Sequence, residues 1–577
     1  MVNLREKMSM QSTQMKKRIG MGWLWLALLG FVLAGCAAHV SLGPKSDATV
    51  STGSFKVVGI GPGDGDLLTV RAVEAIRSAD LVFCSPKTKE KITPHVDLAG
   101  KQVLDGYGVL FRYYGKDCAQ LKPEEQTWHG KSCEQYHQKQ AEFSRLVREA
   151  VAAGKQVVLL SSGDPTIYGP DMWSLKALHD LDPKVVPGLS AFNAANAALQ
   201  AGLGEVIITA PFKRQDRKDT IENLAGNERA TMVVFMPRDM QDLFARLTKV
   251  YPADTPAAIV CNAGLTGRQK VVAGTVGGFA ADLSGVDERL SMVYVGKALA
   301  KAQFKPEQAS GQVSKGKFYL VGVGPGDSDL ATLRALKVIQ EADLIFAGKK
   351  ISGKFEKYLN GKKVLDGYHR LFPFYGKTCA DVSGDEKANE RMSCEDYHQK
   401  QAEFAALVRA AVAEGKTVAM LDSGDPLVYG PCSWSLTELR DLDTEVVPGL
   451  SCFNAANAAL RAGVTEGQNA HSVILASGWS VEEMAVHQGT MVLFTMRTEF
   501  KKFIDSLLKH YPAQTPVAIV SSAGYAEKEK VVHGTLGSIL AQVGENKLPF
   551  EYLLYVGDFL NNSVDRLSSN TIAKNAQ

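Results

Sequence analysis

KVVGIGPGDGDLLTVRAVEAIRSADLVFCSPK runs from Lys56 to Lys87, and the architecture of the chain follows from its pattern. The apolar pair Val57-Val58 leads into the turn Gly61-Pro62-Gly63-Asp64. Apolar residues then recur at helical spacing from Leu67 to Ile76, and a second apolar run covers Leu81 to Phe83. Because glycine and proline mark turns and the period changes from strand to helix and back, this stretch predicts a βαβ unit.

The same pattern returns at Lys317 to Lys350 as KFYLVGVGPGDSDLATLRALKVIQEADLIFAGKK. Asp164 precedes Asp425 by 261 positions, and Gly188 precedes Gly449 by the same interval. A period of this length indicates a duplicated domain and not a solenoid. Within each copy, strand-like runs alternate with helix-like runs, which predicts an α/β fold with a parallel, doubly wound sheet.

The composition is that of a globular protein with more than one core. The chain has 577 residues, of which 45% are hydrophobic and 22% charged, and a single core does not grow to this length. A formal net charge of +3 argues against a nucleic-acid partner, which needs a concentrated basic face. The predicted segments are a signal peptide (1–36), a tether (37–53), a first repeat (54–296), a linker (297–317), a second repeat (318–558) and a frayed tail (559–577).

The N-terminal segment differs from the rest of the chain. The basic residues Lys16 to Arg18 precede the apolar run Trp23 to Val32, which is too short to favour a membrane-spanning helix. Leu33-Ala34-Gly35-Cys36 follows, and this order resembles a bacterial lipoprotein signal, in which the cysteine matching Cys36 is lipidated. The alternative is an anchor helix or an uncleaved signal. We expect an exported lipoprotein on the periplasmic side of the cell envelope, with the outer membrane favoured.

Cysteine spacing is matched between the repeats. One pair spans Cys118–Cys133 and the other Cys379–Cys394, each 15 positions apart. In an exported protein such pairs favour one loop-closing disulfide per repeat. Metal binding is the alternative because His137 and His398 follow at equal distance, although two cysteines and one histidine fall short of a closed zinc site. We expect the remaining cysteines to be buried thiols: Cys84, Cys261, Cys432 and Cys452.

Three glycine-containing turns recur in both repeats, each after an apolar run and before a helical one. In open α/β sheets such turns gather at the carboxyl ends of strands, where ligands bind. Glycine lets a ligand approach the backbone, and helix N-termini offer free amide donors, although a single turn of this kind is usually only a connection. The turns are GIGPGD (59–64) and GVGPGD (322–327), SGDPTIYG (162–169) and SGDPLVYG (423–430), and VVPGLSAFNAANAAL (185–199) and VVPGLSCFNAANAAL (446–460).

Together and in this order, the turns resemble the tetrapyrrole methylase family, the S-adenosylmethionine-dependent enzymes of sirohaem and cobalamin synthesis. The resemblance extends through Pro256 to Val276 and Pro516 to Leu536. It implies two tandem units, each of two α/β lobes with a mainly parallel sheet in the first lobe. The methyl donor would lie in the cleft between the lobes of each unit.

The resemblance also implies which residues contact S-adenosylmethionine. In the first repeat they are Pro62, Gly63, Asp64, Gly163, Asp164, Ile167, Ser190, Ala191, Met236 and Gly264. In the second they are Pro325, Gly326, Asp327, Gly424, Asp425, Val428, Ser451, Cys452 and Gly524. Thr495 stands at the position of Met236, with Met496 one residue later, which weakens the second site.

One acid of the family is missing. Uroporphyrinogen-type members carry an aspartate after the strand of the ADLVF pattern, where this chain has Ser85 and Gly348. Cobalamin-branch members read Ala-Gly there, as Ala347-Gly348 do. The loss argues against the first sirohaem step but leaves methyl transfer open, since alignment of the reactants and removal of a ring proton account for most of the catalysis. We assign no catalytic residue from the sequence.

Each repeat carries an insertion that the resemblance does not explain, Leu104 to Phe143 and Leu365 to Phe404. Its aromatic residues could form a disulfide-closed lid over a flat macrocycle: Tyr107, Phe111, Tyr113 and Tyr114. The alternative is a surface loop stapled for stability, with His137 and His398 as exposed helix histidines.

Two functions of different classes fit the sequence. The first is methyl transfer from S-adenosylmethionine to a tetrapyrrole-like acceptor by a lipid-anchored enzyme. The second is a lipid-anchored protein that binds a tetrapyrrole or another small molecule without chemistry, since the donor is made in the cytoplasm and the signal directs the chain outside. Because family enzymes work as homodimers, the two repeats are expected to form an internal pseudo-dimer.

Overall fold

The computed structural model describes residues 52–213, 217–287, 290–302, 315–388, 390–494, 499–544, 548 and 551–568. They belong to one compact unit that begins at Ser51. Several predicted features lie outside the described residues: the signal with Cys36, nearly all of the tether, Thr495 and Met496. Within these ranges, no helix is long and apolar enough to cross a membrane.

The first lobe of the first repeat is built on a parallel five-stranded sheet. The strands follow the order β3-β2-β6-β1-β7. The strands are β1 (Ser54–Gly59), β2 (Leu81–Phe83), β3 (Gln102–Leu104), β6 (Gln156–Ser161) and β7 (Lys184–Val186), and a small hairpin is formed by β4 (Thr127–Trp128) and β5 (Lys131–Ser132). The helices are α1 (Val70–Arg77), α2 (Pro86–Ile92), α3 (Cys133–Ala152), α4 (Trp173–Ala177) and α5 (Ala191–Leu199).

The alternation of side chains in β1 explains why both faces of this sheet are covered. Phe55 and Val57 lie in the core that α3 closes, whereas Val58 and Ile60 lie in the core that α1 and α2 close. The predicted βαβ unit is confirmed, but its helix begins at Val70. Residues Gly65–Leu67 form a 3-10 turn, and the Thr69 side chain accepts a hydrogen bond from the Ala72 amide, which sets the start of the helix.

The second repeat has the same first lobe, with strand order β15-β14-β16-β13-β17, all parallel. The strands are β13 (Phe318–Gly322), β14 (Leu344–Phe346), β15 (Lys363–Leu365), β16 (Val418–Asp422) and β17 (Thr444–Val447). The helices are α9 (Leu333–Glu341), α10 (Lys349–Lys354), α11 (Glu356–Leu359), α12 (Gly384–Ala388), α13 (Cys394–Ala413), α14 (Trp434–Glu438) and α15 (Cys452–Leu460).

The second lobes share a ten-stranded sheet, ordered β11-β10-β12-β9-β8-β18-β19-β22-β20-β21. Its halves join where β8 of the first repeat pairs antiparallel with β18 of the second. The first repeat supplies β8 (Glu205–Thr209), α6 (Ile221–Leu224), β9 (Ala230–Phe235), α7 (Met240–Leu247), β10 (Pro256–Cys261), β11 (Lys270–Thr275), α8 (Val276–Ala281) and β12 (Ser291–Val295). The second supplies β18 (Val473–Ser477), α16 (Val481–Ala485), β19 (Thr490–Phe494), α17 (Phe500–Leu508), β20 (Pro516–Ser521), β21 (Lys530–Thr535), α18 (Ile539–Val543) and β22 (Tyr552–Val556).

Both predicted disulfides are present, Cys118–Cys133 and Cys379–Cys394. Of the four other cysteines in the described part of the chain, three are buried as expected, and Cys452 is half-buried. The expectation of exposed histidines is wrong. His137 is half-buried, and its Nε2 donates a hydrogen bond of 2.9 Å to the carbonyl of Tyr113 beside the disulfide.

The aromatic lid is also wrong, because the insertion turns its aromatic side chains toward the sheet. Tyr107 and Tyr113 are buried in the same core as Phe83 and Phe143. Phe111 is 42% exposed and packs on Trp128. The surface-loop alternative holds only in part, since the insertion ends in α3 and supplies much of the cover for one face of the parallel sheet.

Part of the segment predicted to be a frayed tail, residues 559–568, is described by the structure and is packed against both repeats. Val564 is 1% exposed and lies in a core of the first repeat. Asp565 forms an ion pair with Arg461 and lies 3.5 Å from Nε2 of His533. Val564 and Asp565 therefore hold this described segment against the first and the second repeat, respectively.

Candidate active site

The three recurring turns of each repeat meet at one edge of the parallel sheet. In the first repeat they follow β1, β6 and β7, which are neighbours in the order β6-β1-β7. The amide of Gly163 donates a hydrogen bond of 3.0 Å to the carbonyl of Gly61, and the amide of Gly61 donates one of 3.3 Å in return. The sequence prediction that the turns gather at the carboxyl ends of strands is confirmed.

The GPGD turn touches the second lobe through glycine. A Cβ atom on Gly63 would lie 2.3 Å from the carbonyl carbon of Gly264, and one on Gly326 would lie 2.2 Å from that of Gly524. The amide of Asp64 donates to the carbonyl of Gly264 at 3.0 Å. Gly63 and Gly326 therefore let the GPGD turn approach the second-lobe backbone more closely than any side chain would allow. This contact forms the base of the cleft between the lobes.

The aspartates of the GPGD turns hold loops together. Asp64 accepts a hydrogen bond of 2.9 Å from the Thr266 amide and one of 3.2 Å from Arg334 of the other repeat. Asp327 accepts a hydrogen bond of 2.9 Å from the Ala526 amide and forms an ion pair of 3.5 Å with Arg71. These carboxylates fix the second-lobe loops over the turn.

The aspartates of the SGDP turns bind across the repeats. Asp164 accepts a hydrogen bond of 2.7 Å from Nδ2 of Asn454, and Asp425 accepts one of 2.7 Å from Nδ2 of Asn193. Each is only 3% exposed. Burial disfavours the charged form and raises the pKa of Asp164 to about 6 and that of Asp425 to about 7. The sequence placed these carboxyls at the methyl donor, and the structure gives them partners in the opposite repeat.

The two asparagines were missed by sequence reasoning. Asn193 and Asn454 are fully buried on the first turns of α5 and α15. The hydroxyl of Ser190 donates a hydrogen bond of 2.7 Å to Oδ1 of Asn193, and the hydroxyl of Ser451 donates an equal one to Oδ1 of Asn454. A polar amide at the same place in two alanine-rich helices was the available signal, because a buried amide needs partners.

A cleft of about 500 Å³ opens between the lobes of the second repeat. Six of the nine predicted residues line it: Pro325, Gly326, Gly424, Asp425, Val428 and Cys452. The other three lie around it. Ser451 is buried as the cap of α15, and the amide of Asp327 donates to the carbonyl of Gly524 at 3.2 Å.

The remaining residues of the first-repeat set occupy the equivalent places. Pro62 and Gly163 lie in the two turns that the hydrogen bonds between Gly61 and Gly163 join. Ile167 is buried in the central core. Ala191 packs against the same core at the first position of α5. Met236 follows β9 and is 46% exposed.

The positions of the missing acid are filled differently. Ser85 caps the N-terminus of α2, where its hydroxyl accepts a hydrogen bond from the Thr88 amide. Gly348 begins α10, and a Cβ atom there would lie 3.0 Å from the ring of His369. The insertion of the second repeat therefore occupies the space into which an aspartate would extend.

Lys91 contacts the glycine turn of the first repeat, and the sequence did not indicate this role. Its Nζ donates to the carbonyls of Ile60 and Gly61 at 3.0 and 2.7 Å. Burial lowers its pKa to about 8, opposed by Asp64 and Asp66. Lys91 thereby ties α2 to the glycine turn.

Comparison with known proteins gives consistent matches. The model of the family described as Tetrapyrrole (Corrin/Porphyrin) Methylases matches residues 54–280 and 317–540. Cobalt-precorrin-4 C(11)-methyltransferase of Methanocaldococcus jannaschii is 30% identical over 42% of this chain and 88% of that protein. A protein of Methanosarcina barkeri named S-adenosyl-L-methionine-dependent uroporphyrinogen III methyltransferase is 29% identical over 43% of this chain and 92% of its own length.

Among solved structures, uroporphyrin-III C-methyltransferase of Thermus thermophilus, complexed with S-adenosyl homocysteine, is 22% identical, with a TM-score of 0.32. It covers 42% of this chain and 99% of its own. The enzyme class and methyl donor expected from the sequence are those of the family. Since the family model matches each repeat over most of its length, the chain belongs to the tetrapyrrole methylase family twice over.

Proposed function

We propose that this protein transfers a methyl group from S-adenosylmethionine to a tetrapyrrole-like acceptor. The observation that carries the proposal is the cleft of about 500 Å³ in which six of the nine donor residues expected for the second repeat come together. Its volume lies within the range of small-molecule sites, roughly 300–1,000 Å³. The cleft is walled by backbone at Pro325, Gly326 and Gly424, where a nucleoside can approach closely.

The chemistry asks for position more than for reactive side chains. The sulfonium supplies an activated methyl group, and an electron-rich ring carbon attacks it. The turns would hold the donor, while the walls of the cleft would orient the ring. Alignment of two reactants in a closed site lowers the barrier by removing the need for a productive encounter.

The test is transfer of a labelled methyl group. The purified protein would be incubated with S-adenosylmethionine that carries an isotopic methyl label and with reduced tetrapyrroles of different methylation state. We expect label in the ring, and loss of transfer in the Gly326→Ala variant if the second cleft is active. No label in any ring, with a tetrapyrrole bound and no binding of the donor, would instead indicate a binding protein.

That alternative, a non-catalytic binding protein for a tetrapyrrole or another small molecule, has one specific support. Neither Ser85 nor Gly348 supplies a carboxylate, and both begin helices. A binding protein would retain affinity for a ring without affinity for the donor. Parallel titrations with S-adenosylhomocysteine and with a porphyrin separate the two functions.

We infer that the two repeats act as an internal pseudo-dimer. The inference is supported by reciprocal contacts. Arg71 pairs with Asp329 and Arg334 with Asp66, at 2.8 and 2.7 Å, and the asparagine bonds to Asp164 and Asp425 are likewise mutual. Light scattering during size-exclusion chromatography should give the mass of one chain. A stable dimer of chains would count against it.

We further propose that the protein is exported and held at the membrane by lipid on Cys36. The support is the order of basic, apolar and Leu33-Ala34-Gly35-Cys36 segments. Mass spectrometry of the membrane fraction should find a lipid-modified peptide that starts at Cys36. The Cys36→Ser variant should lose that modification, and a wild-type protein without it would contradict the proposal.

A further inference from the structure

The second cleft has a strongly cationic wall. Five basic residues line it. Lys349, Lys350 and Lys354 come from α10, while Arg370 and Arg391 come from the insertion between β15 and α13. His369 of the same insertion lies beside them. The cationic residues and the donor-site glycines Gly326 and Gly424 face one cavity.

Most of this charge is not neutralised by the protein. Lys350 forms an ion pair with Glu551. The carboxyl of Asp425 is bonded to Asn193, and that of Asp422 accepts a hydrogen bond of 3.1 Å from the Cys432 amide. Among the residues that the structure describes, the guanidinium groups of Arg370 and Arg391 form no ion pair, although Arg370 lies near enough to Asp422 to oppose the rise that burial causes in the pKa of that carboxyl. The cavity also contains the carboxyls of Asp422, Asp425 and Glu551, but within the described residues none of them forms an ion pair with Arg370 or Arg391, so both guanidinium groups are available to a ligand carboxylate.

Lys354 of the second repeat differs in its contacts from Lys91, which stands at the equivalent position in the first repeat. Lys91 at the equivalent position is bonded to two backbone carbonyls. Lys354 instead lies over the ring of Tyr525 at 5.5 Å. Burial and the neighbouring Lys350 lower its pKa to about 8, opposed by Asp327 and Glu551.

The first repeat lacks the arginines of this wall, although Lys87 and Lys91 stand at the positions of Lys350 and Lys354. At the positions of His369, Arg370 and Arg391 it has Gly108, Val109 and Gly130. Leu290 stands where the second repeat has Glu551. Val109 is 44% exposed and Leu290 is 67% exposed, so the same places are apolar there. Two repeats with matching donor turns thus differ in the chemistry of what faces them.

We propose that the insertion of the second repeat is a carboxylate-binding wall, and that it makes this cleft, and not the first, the site for a macrocycle with several carboxylate side chains. The inference rests on the proposed function for the ring and on Arg370 and Arg391 for the carboxylates. Arginine binds a carboxylate through two parallel hydrogen bonds, which fixes orientation as well as adding affinity. Two arginines and Lys354 around one cavity would hold a flat ring by its edge.

The test is a titration of the purified protein with uroporphyrin, a porphyrin whose side chains are carboxylates, followed by its visible absorbance band. The variant is Arg370→Gln with Arg391→Gln. Both residues are exposed, so the fold should persist. We expect a loss of affinity of about tenfold or more, as for removal of charge-assisted contacts. A cationic porphyrin of similar size should not bind.

The matched control is Arg145→Gln with Lys377→Gln. It removes the same charge from exposed positions, of which Lys377 lies in the same insertion. This control should bind uroporphyrin as the wild type does. Equal affinity in wild type and test variant, or an equal loss in test and control, would overturn the proposal, and so would equal binding of the cationic ring.

S-adenosylhomocysteine titrations on the same variants separate this inference from the proposed function. If uroporphyrin binding depends on Arg370 and Arg391 but no variant binds the nucleoside, the carboxylate wall stands and methyl transfer fails. If the nucleoside binds and uroporphyrin affinity ignores both arginines, the wall is wrong and the methyl-donor site remains. A second variant, Arg370→Val with Arg391→Gly, carries the residues of the first repeat and should lose affinity in the same way.

Discussion

Asn454 in the second repeat donates a hydrogen bond of 2.7 Å to the carboxyl of Asp164 in the first. Asn193 and Asp425 make the same contact in the opposite direction. Asparagine and aspartate are each buried, so neither can exchange its partner for water. The donor-site turn of one repeat is thereby positioned by a helix of the other, which makes the two clefts structurally dependent on each other.

This contact should show coupling in a double-mutant cycle. Asn454→Ala leaves the carboxyl of Asp164 buried with one partner fewer, and we expect a loss of about 1–3 kcal/mol in the free energy of unfolding. Asp164→Ala should cost a similar amount, and the double variant less than the sum. Urea denaturation measures all four proteins. The exposed pair Lys501 and Asp505 is the control, and additivity at Asp164 and Asn454 would show that the bond contributes nothing.

The reciprocal arginines should differ in importance. The side chain of Arg334 is 9% exposed, whereas that of Arg71 is 24% exposed. Because solvent weakens ion pairs, Arg334→Ala should destabilise the fold by about 1–3 kcal/mol and Arg71→Ala by less. Denaturant midpoints of the two variants compare them directly. A larger loss at Arg71 would mean that burial does not govern these pairs.

The glycine contact at the base of the cleft gives a matched pair of substitutions. Gly326 has φ +65°, and a Cβ atom there would meet backbone at 2.2 Å. Gly361 has φ +76°, with nothing within 4 Å of such an atom. Both variants to alanine bear the strain of a left-handed backbone, but only Gly326→Ala should push the lobes apart. We expect Gly326→Ala to lose nucleoside affinity and melt lower than Gly361→Ala, and equal behaviour of the two would contradict the contact.

The buried aspartates should make stability depend on pH. The pKa of Asp425 is raised to about 7 from 3.8 by burial, with Asp422 raising it further. Between about pH 4 and 7 the folded protein then holds a proton that the unfolded chain has lost, so this stabilising contribution is fully present below pH 4 and is lost as the pH rises toward 7. In Asp425→Asn that contribution is absent, and the difference in the free energy of unfolding between pH 5 and 7.5 should shrink.

Asp441 provides the opposite sign as a control. Arg409 lowers the pKa of this exposed carboxyl, so its smaller contribution is present at neutral pH and disappears as the pH falls through its folded pKa. Asp441→Asn should leave the pH dependence from Asp425 in place. Identical pH profiles for wild type and Asp425→Asn would mean that Asp425 is ionised throughout.

Each disulfide should stabilise its repeat. A cross-link between residues 15 positions apart is expected to contribute about 3 kcal/mol by restricting the unfolded chain. Cys118→Ser with Cys133→Ser should therefore lower the melting temperature, and a reductant should lower it further through the second disulfide. No response to reductant in this variant would mean that Cys379–Cys394 contributes nothing.

The sequence motifs correctly predicted the local architecture. The turns after β1, β6 and β7 meet as the pattern predicted, because parallel strands bring their carboxyl ends to one edge. The matched cysteine spacing identified both disulfides. In each repeat the disulfide joins a loop to the start of one helix, so the spacing recurs with the fold.

What the sequence could not predict lies in long-range pairing. The recurrence of an asparagine at 193 and 454 indicates a buried amide, but nothing local identifies the partner of Asn193, since Asp425 is 232 positions away. The aromatic residues of the insertion read as a lid because composition does not say which way Tyr107 faces. It faces Phe83 and Phe143, where hydrophobic burial outweighs any role at the cleft mouth.

The most direct test of the account is a calorimetric titration of S-adenosylhomocysteine into the purified protein, beside the Gly326→Ala variant. The account predicts saturable binding by the wild type and a loss of binding in the second cleft of the variant, with both proteins folded. No heat from the wild type at nucleoside concentrations far above those that saturate methyltransferases would contradict it.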